Sequence, residues 1–530
     1  MSNLSSFSRA SQHKSGAYLS AGRFAIGTGD FIELISGDVF VDKTLLIKDL
    51  LTEGGIKASL ITRPRRWGKT LNMSMLHNFL RCEVRKNATT RKFETVNPHP
   101  GLFDHLKVGK EYPELIASHQ GQWPVIALSL RGTEGNDLQT IEQGFKDILA
   151  ELYSRHAYLS NWLYSLEKEE ATSAKAEYFS DVLRRRASLA SLKISLYFLS
   201  ELLYEYHGQR VFVLLDEYDA PLNNTFLELT LYQKVLSFMR GLLGKCFKDN
   251  PYLEKGIMTG ILRIAKADLF SGINNFREYS LLDKRYTEHF GFTDTEVSNL
   301  FAHPYIKKRI EEPAPDLEDI KAWYNGYTVG GITIYNPWSI MSCISEGGKL
   351  APYWVNTGSD TLLRNLLQDS DDLIYQIEQL LAEDTIGVEI SPHVNMLDTD
   401  HNLKFWSLML AAGYVTLAGE MQPRPSIEYF CQVRIPNAEI RAVYKSLIIG
   451  WFKGQAKSTY YTNMIGYLFR GEVKSFSELL NRYLAEATSL RNVGPSGAER
   501  FYSGFMAGLF IAMQKDWAIN SAIESGQGYA

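Results

Sequence analysis

Apolar residues along the chain gather into short unbroken runs, separated by longer stretches in which they recur at helical spacing. Ala58 to Thr62 is the first such run, and Pro124 to Leu130, Val211 to Leu215 and Gly256 to Ile261 follow. Runs of this length, bounded by turn residues, read as strands covered on both faces, as in a parallel sheet. Between them the period changes. Leu71, Met75, Leu76 and Phe79 share one helical face, and Leu138 to Tyr206 is mostly helical in pattern. Ahead of the first strand, Asp42-Lys43-Thr44 followed by LLIKDLL reads as a capped helix start. Four strands joined by helical connections predict a doubly wound, three-layer α/β sandwich around a parallel sheet.

Beyond Ile261 the pattern is largely helical. Thr293 opens a capping box with Glu296 at the head of a helical stretch that reads as a lid or winged-helix element. From Trp323 to Ser339 aromatics alternate with Gly and Asn, as in a turn-rich hairpin. Core packing explains those rings more simply than a platform for stacked bases. Thr361 to Leu381 and Lys404 to Tyr414 are expected to be helices, and Ile435 to Phe452 an extended entry into a long amphipathic helix. Lys86 to Pro100 and Phe270 to Asn275 are expected to be loops. The division that results is a disordered tail over 1–23, an α/β domain over 24–290, a helical lid and connector over 291–435 and a helical region over 436–530.

Composition narrows the setting. Hydrophobic residues make up 45% and charged residues 22% of the 530-residue chain, enough for several cores and roughly two to four domains. A net charge of −4 carries no global nucleic-acid signature, so such binding would need a local patch. Arg184 to Arg186 form a basic spot that reads more simply as a solvated helix face. The four cysteines are far apart and include no CxxC pair, which argues against a disulfide framework or a zinc site. No apolar run is long enough to span a bilayer, and a reducing cytoplasm is the expected location. Met1 to Gly29 is Ser-rich and basic without an acidic residue before Asp30. A disordered tail explains it more simply than a transit peptide.

Candidate chemistry begins where the first strand ends. Pro64 breaks the run, Arg63, Arg65 and Arg66 surround it, and Gly68-Lys69-Thr70 opens the following helix. Strand, tight loop, Gly-Lys-Thr and helix form the layout of a phosphate-binding loop. In it, the backbone at Arg66, Trp67 and Gly68 faces phosphate, Lys69 reaches the β/γ-phosphates and the Thr70 hydroxyl holds Mg²⁺. One position departs from the usual pattern, since Arg63 stands where the first glycine is expected. A basic surface turn is the competing reading of the loop alone. The run Val211 to Leu215 tips the balance, because it ends in Asp216-Glu217 at the carboxyl end of a central strand, where ligands of open α/β sheets sit. Asp216 would hold Mg²⁺ through water, and Glu217 would orient and activate an attacking water.

RPRRWGKT, preceded by VDKT (Val41 to Thr44) and followed by LLDEYDAPL (Leu214 to Leu222), resembles the bacterial AAA-ATPase-like family. Thr259 to Asn275, Trp323 to Tyr327, Tyr335 to Ser339 and Tyr353 to Ser359 carry further matching stretches, so the resemblance covers most of the chain from about Phe24. In that family the first loop glycine is characteristically replaced, which accounts for Arg63. The resemblance implies a P-loop NTPase fold, ATP rather than GTP, Mg²⁺, and hydrolysis, with Arg65 and Arg66 adding positive charge at the phosphates or facing a partner. It also raises a nucleic-acid partner and assembly into a homo-oligomer. An ATP-binding switch or scaffold with negligible turnover is the alternative.

Thr259, on the strand read beside the Asp-Glu strand, is the positional candidate to sense the γ-phosphate. Arg263 has two readings that stand side by side, a surface ion pair and a transition-state arginine. At the other end, Glu499 to Phe510 resembles the first helix of the PD-(D/E)XK nuclease-like domain found in family members, and Glu524 to Gly528 matches its ESGxG turn. The Asp and the E-x-K that would complete a metal site do not follow. The expectation is a chain inactive as a nuclease alone: a truncated product, a frameshifted remnant or one half of a split pair.

Overall fold

The computed structural model describes residues 26–354 with short breaks at 38, 91, 167–169, 224, 226–227, 265–268 and 271–274, then 371–382, 385–393, 400–425, 428–444, 466–468, 470–479, 524–525 and 528–529. Seven strands precede residue 280: β1 (Ala58–Thr62), β2 (Glu83–Lys86), β3 (Phe93–Val96), β4 (Val125–Ser129), β5 (Val211–Asp216), β6 (Leu253–Gly260) and β7 (Phe276–Tyr279). Five of them form one parallel sheet in the order β4-β5-β6-β1-β7. The expected strands are all present. The fifth, β7, escapes the pattern because Phe276-Arg277-Glu278-Tyr279 buries only its end residues. β2 and β3 pair as a separate hairpin, with β3 inside the expected polar loop and β2 leading into it.

Side chains alternate across the sheet as its pleat requires. Leu60, Val213, Leu215 and Met258 pack on one face with Phe145, Leu199 and Met239, which come from helices Leu138–Arg155, Ser195–His207 and Leu229–Phe247. Ile61, Phe212, Leu214 and Ile257 point the other way, onto Leu46 and Leu50 of helix Leu45–Leu51 and Met75 and Phe79 of helix Lys69–Leu80. Both faces are covered, so the central strands are apolar throughout rather than alternating in sequence. The chain leaves β1 toward β4 and leaves β6 toward β7, in opposite directions along the sheet. The carboxyl ends of this adjacent pair therefore flank a crevice, the position where doubly wound sheets bind ligands.

After β7 the chain builds helices Asp294–Ala302, Pro304–Arg309, Leu317–Tyr324 and Pro337–Ser345, with a hairpin of β8 (Tyr327–Val329) and β9 (Ile332–Ile334) between the last two. The capping box of Thr293 and Glu296 is formed, and the hairpin lies in the aromatic, glycine-rich stretch. Val297, Ile306, Ile320, Tyr324 and Ile344 give these helices a core of their own.

The region expected to be mostly helical also holds a sheet. β10 (Ile386–Ile390), β11 (Thr416–Leu417), β12 (Gln422–Pro423) and β13 (Tyr429–Arg434) pair antiparallel, with β13 central. Its signal is a period of two in β10, where Ile386, Val388 and Ile390 are buried while Gly387 and Glu389 are exposed. Helix His401–Ala412 packs on β10. Val433, Trp406 and Tyr414 join the same continuous core as Ile61 and Trp67, so this region packs directly beneath the loop after β1.

The tail over 1–23 and the expected helix at Glu499 to Phe510 lie outside the described residues. The expected helix after Ile435 is described over 438–444. β14 (Glu524–Ser525) and β15 (Gly528–Tyr529) pair antiparallel across the ESGxG stretch. Among the described residues, no helix is long and apolar enough to cross a membrane.

Candidate functional site

Every strand of the parallel sheet that bears a candidate residue delivers it at its carboxyl end. β1 runs into the loop Arg63 to Gly68, and Lys69 and Thr70 begin the next helix. Two loop residues adopt left-handed backbone, Gly68 at φ 73° and Arg66 at φ 68°. Glycine takes this conformation freely, whereas for arginine it is uncommon. Arg63, at the position of the missing glycine, has no positive φ and needs no glycine. Its side chain turns out of the loop and is fully buried, where Nη1 donates to the carbonyls of Thr62 at 2.8 Å and Tyr279 at 3.1 Å. It stitches β1 to β7, and burial pushes its pKa down to about 10.

Lys69 is buried beneath the loop, with Nζ donating to the carbonyls of Arg63 at 2.9 Å and Pro64 at 2.8 Å. Burial pushes its pKa down to about 8, against the pull of Asp216, Asp219 and Glu217. Thr70 Oγ1 donates to Asp216 Oδ2 at 2.6 Å, and Thr259 Oγ1 donates to Asp216 Oδ1. Lys69 and Thr70 from the helix after β1, Asp216 from β5 and Thr259 from β6 thus form one constellation. β6 lies between β1 and β5, which places Thr259 between the loop and the Asp-Glu pair.

Glu217 is held in left-handed backbone at φ 50°, its N–H donating to Asp216 Oδ1 at 2.9 Å. Burial, reinforced by Asp216, raises its pKa, while Arg131 and Lys69 pull it back. Asp219, which sequence reasoning passed over, is buried and accepts the N–H groups of Ile261 at 3.0 Å and Leu262 at 2.8 Å. A side chain on Gly260 would run into it, since a Cβ there would lie 2.6 Å from Asp219 Oδ1. Asp219 therefore locks the turn after β5 to the turn after β6.

Lys69, Thr70, Glu217 and Asp219 line a cavity of about 480 Å³, whereas Asp216 and Thr259 are buried and form no part of its lining. Arg65, Arg66, Trp67, Gly68, Lys69, Thr70 and Glu217 border it, as do Arg131 and Glu134 from the loop after β4. Its other half is apolar: Ile26, Val39, Phe40 and Val41 from the N-terminal segment, with Phe292, Trp338 and Met341 from beyond the sheet. Gly29 crosses Thr70 closely, and a Cβ there would sit 2.9 Å from the threonine methyl. Asp42 stays out of the lining. It accepts the N–H of Thr44 at 2.9 Å and of Lys107 at 2.7 Å, while its neighbour Lys43 borders the cavity and pairs with Glu296 at 2.6 Å.

Arg263 does not border this cavity. Its Nε is paired with Glu278 at 2.8 Å on the far side of the turn after β6, and His393 Nε2 meets the same oxygen at 2.9 Å. The side chain of Glu278 is 5% exposed, so removing its cation strands a charge. Arg263→Ala is expected to destabilise the protein by about 1–3 kcal/mol, read as a lower urea midpoint. An unchanged midpoint would show that the pair contributes little.

Besides Asp219, two residues that border the cavity went unread in the sequence. Arg131 had a positional signal, a cation just past the strand that neighbours the Asp-Glu strand. Trp338 stood inside the YNPWS stretch but carried no spacing that tied it to the loop.

Residues 25–270 match the AAA-ATPase-like family, described as predicted AAA-ATPase. The matched segment contains the loop, the Asp-Glu strand and β6, and it stops before the C-terminal region. A relative from Azotobacter chroococcum mcd 1, described as "Uncharacterized protein in vnfD 5'region", is 24% identical over 515 residues, covering 96% of this chain and 86% of its own length. No solved structure matches.

Proposed function

We propose that this chain is a Mg²⁺-dependent ATPase that binds its nucleotide in the cavity between the loop after β1 and helix Pro337–Ser345. The observation that carries this reading is the Thr70–Asp216–Thr259 constellation, set beside a buried lysine whose amine donates to two loop carbonyls. A triphosphate suits that donor set. Lys69, the loop amides and the N-terminus of helix Lys69–Leu80 supply positive potential for it. The apolar half of the cavity suits a nucleoside, and the volume falls within the usual range for small-molecule pockets.

Thr70 and Asp216 would hold Mg²⁺, which when bound neutralises phosphate charge. Glu217, next to that pair, would take a proton from the attacking water, and its raised pKa makes it a stronger base than an ordinary carboxylate. Thr259 holds the Asp216 carboxylate and would register the terminal phosphate through it. The family match supports ATP as the nucleotide.

Phosphate release by the purified chain, measured with ATP in Mg²⁺ and again in excess chelator, tests the reading. Turnover is expected only with the metal. Thr70→Val keeps the shape but lacks the hydroxyl, and should raise the Mg²⁺ concentration for half-maximal rate by about tenfold or more. Turnover insensitive to chelator would overturn the assignment. Adding DNA to the same assay tests the nucleic-acid partner, for which a faster rate is the expected sign.

A further inference from the structure

Two consecutive loop residues are gripped from the C-terminal region. The Arg66 guanidinium lies 4.1 Å from the centroid of the Trp338 ring, and Trp354 Nε1 donates to the Arg65 carbonyl at 3.3 Å. The two tryptophans belong to one bonded unit. Trp338 Nε1 donates to the Tyr353 carbonyl at 3.0 Å. Glu439, fully buried, accepts the N–H groups of Tyr353 and Trp354 at 2.8 Å each and the Ser339 hydroxyl at 2.6 Å. Helix Pro337–Ser345, the segment 353–354 and the helix beginning at 438 are therefore joined through one carboxylate.

Arg66 has a left-handed backbone and an exposed side chain that borders the cavity, where partial desolvation and the like charges of Arg131 and Arg65 lower its pKa. Arg66, Arg131 and Glu217 border the same cavity. A guanidinium binds phosphate more strongly than it binds an aromatic face.

Resting on the nucleotide reading above, we propose that Arg66 is the group that distinguishes triphosphate from diphosphate. It exchanges the Trp338 ring for the terminal phosphate, and so passes the state of the nucleotide to the unit joined at Glu439. The ring is then the resting partner of the arginine, and helix Pro337–Ser345 is free to shift when the arginine leaves it.

The test pairs equilibrium dialysis of MgADP and a non-hydrolysable MgATP analogue with tryptophan emission, on the full chain and on W338F and R66Q. Saturation with the triphosphate analogue should change emission in a way that MgADP does not, and the change should vanish in both variants. R66Q should weaken triphosphate binding about tenfold and diphosphate binding by less than about twofold. R66Q alters no core side chain, so its arm stands even if W338F folds poorly. A triphosphate-specific change that persists in R66Q overturns the proposal, as does its absence from wild type shown by dialysis to bind the analogue. Dialysis showing no binding to wild type overturns the nucleotide reading itself, and this inference with it.

Discussion

Replacing Lys69 with methionine is expected to lower nucleotide affinity and turnover by about two orders of magnitude or more, without destabilising the nucleotide-free fold. The two effects have one cause. The amine is buried against two carbonyls, and Asp216, Asp219 and Glu217 offset the desolvation of its charge only in part. Methionine removes that cost along with the two hydrogen bonds, so stability should fall by no more than about 1 kcal/mol and is free to rise. The pH dependence gives a sharper readout. The folded chain releases the Lys69 proton near pH 8, whereas the unfolded chain holds it to about 10.5. Between those values the unfolded state binds more protons, so stability rises with pH in wild type. Below pH 8 both states are protonated and Lys69 contributes no slope. Urea unfolding between pH 7.5 and 10.5 should show this rise in wild type and a flatter curve in the variant. A variant that binds MgATP normally would remove Lys69 from the site.

The chemistry-bearing core of the site was legible because it is local. A strand that ends in a loop, Gly-Lys-Thr and a helix are contiguous, and so are five apolar residues followed by Asp216-Glu217. Each motif can be read from periodicity and turn residues alone. The sheet order then brings them together, and Thr259 falls between them because β6 inserts between β1 and β5. What stayed hidden depends on distant packing. The burial of Arg63 against the carbonyl of Tyr279 requires β7, a strand too short and polar to announce itself. The pairing of Arg263 with Glu278 rests on that strand too, and a sequence offers no way to choose between an ion pair and a catalytic arginine at such a position. The antiparallel sheet around β13 was masked by the strongly helical text on either side of its short strands. The grip of Trp338 and Trp354 on the loop spans hundreds of positions, so no local spacing records it.

Glu217→Gln should separate binding from chemistry. The variant is expected to hold MgATP within about threefold of wild type and to lose hydrolysis by a factor of about 10²–10⁴, the range for removing a positioned base. Glutamine fits the same space and can still hydrogen-bond a water, but it cannot accept the proton. The backbone at this position argues that the carboxylate is placed on purpose. A non-glycine residue at φ 50° carries strain of about 1 kcal/mol or more. Two hydrogen bonds maintain it, the N–H to Asp216 Oδ1 and the carbonyl accepting from Ala220 at 3.0 Å. That geometry turns Glu217 into the cavity, where burial and Asp216 raise its pKa. The wild-type rate should therefore fall as acid protonates Glu217, starting at a higher pH than an ordinary carboxylate would show. The residual rate of the glutamine variant should lack that limb, because the group responsible is gone. Rate–pH profiles of the two proteins decide the point. A variant that keeps both its rate and its acid limb would mean that another group activates the water, and Asp219, which shares the cavity wall, would be the residue to change next.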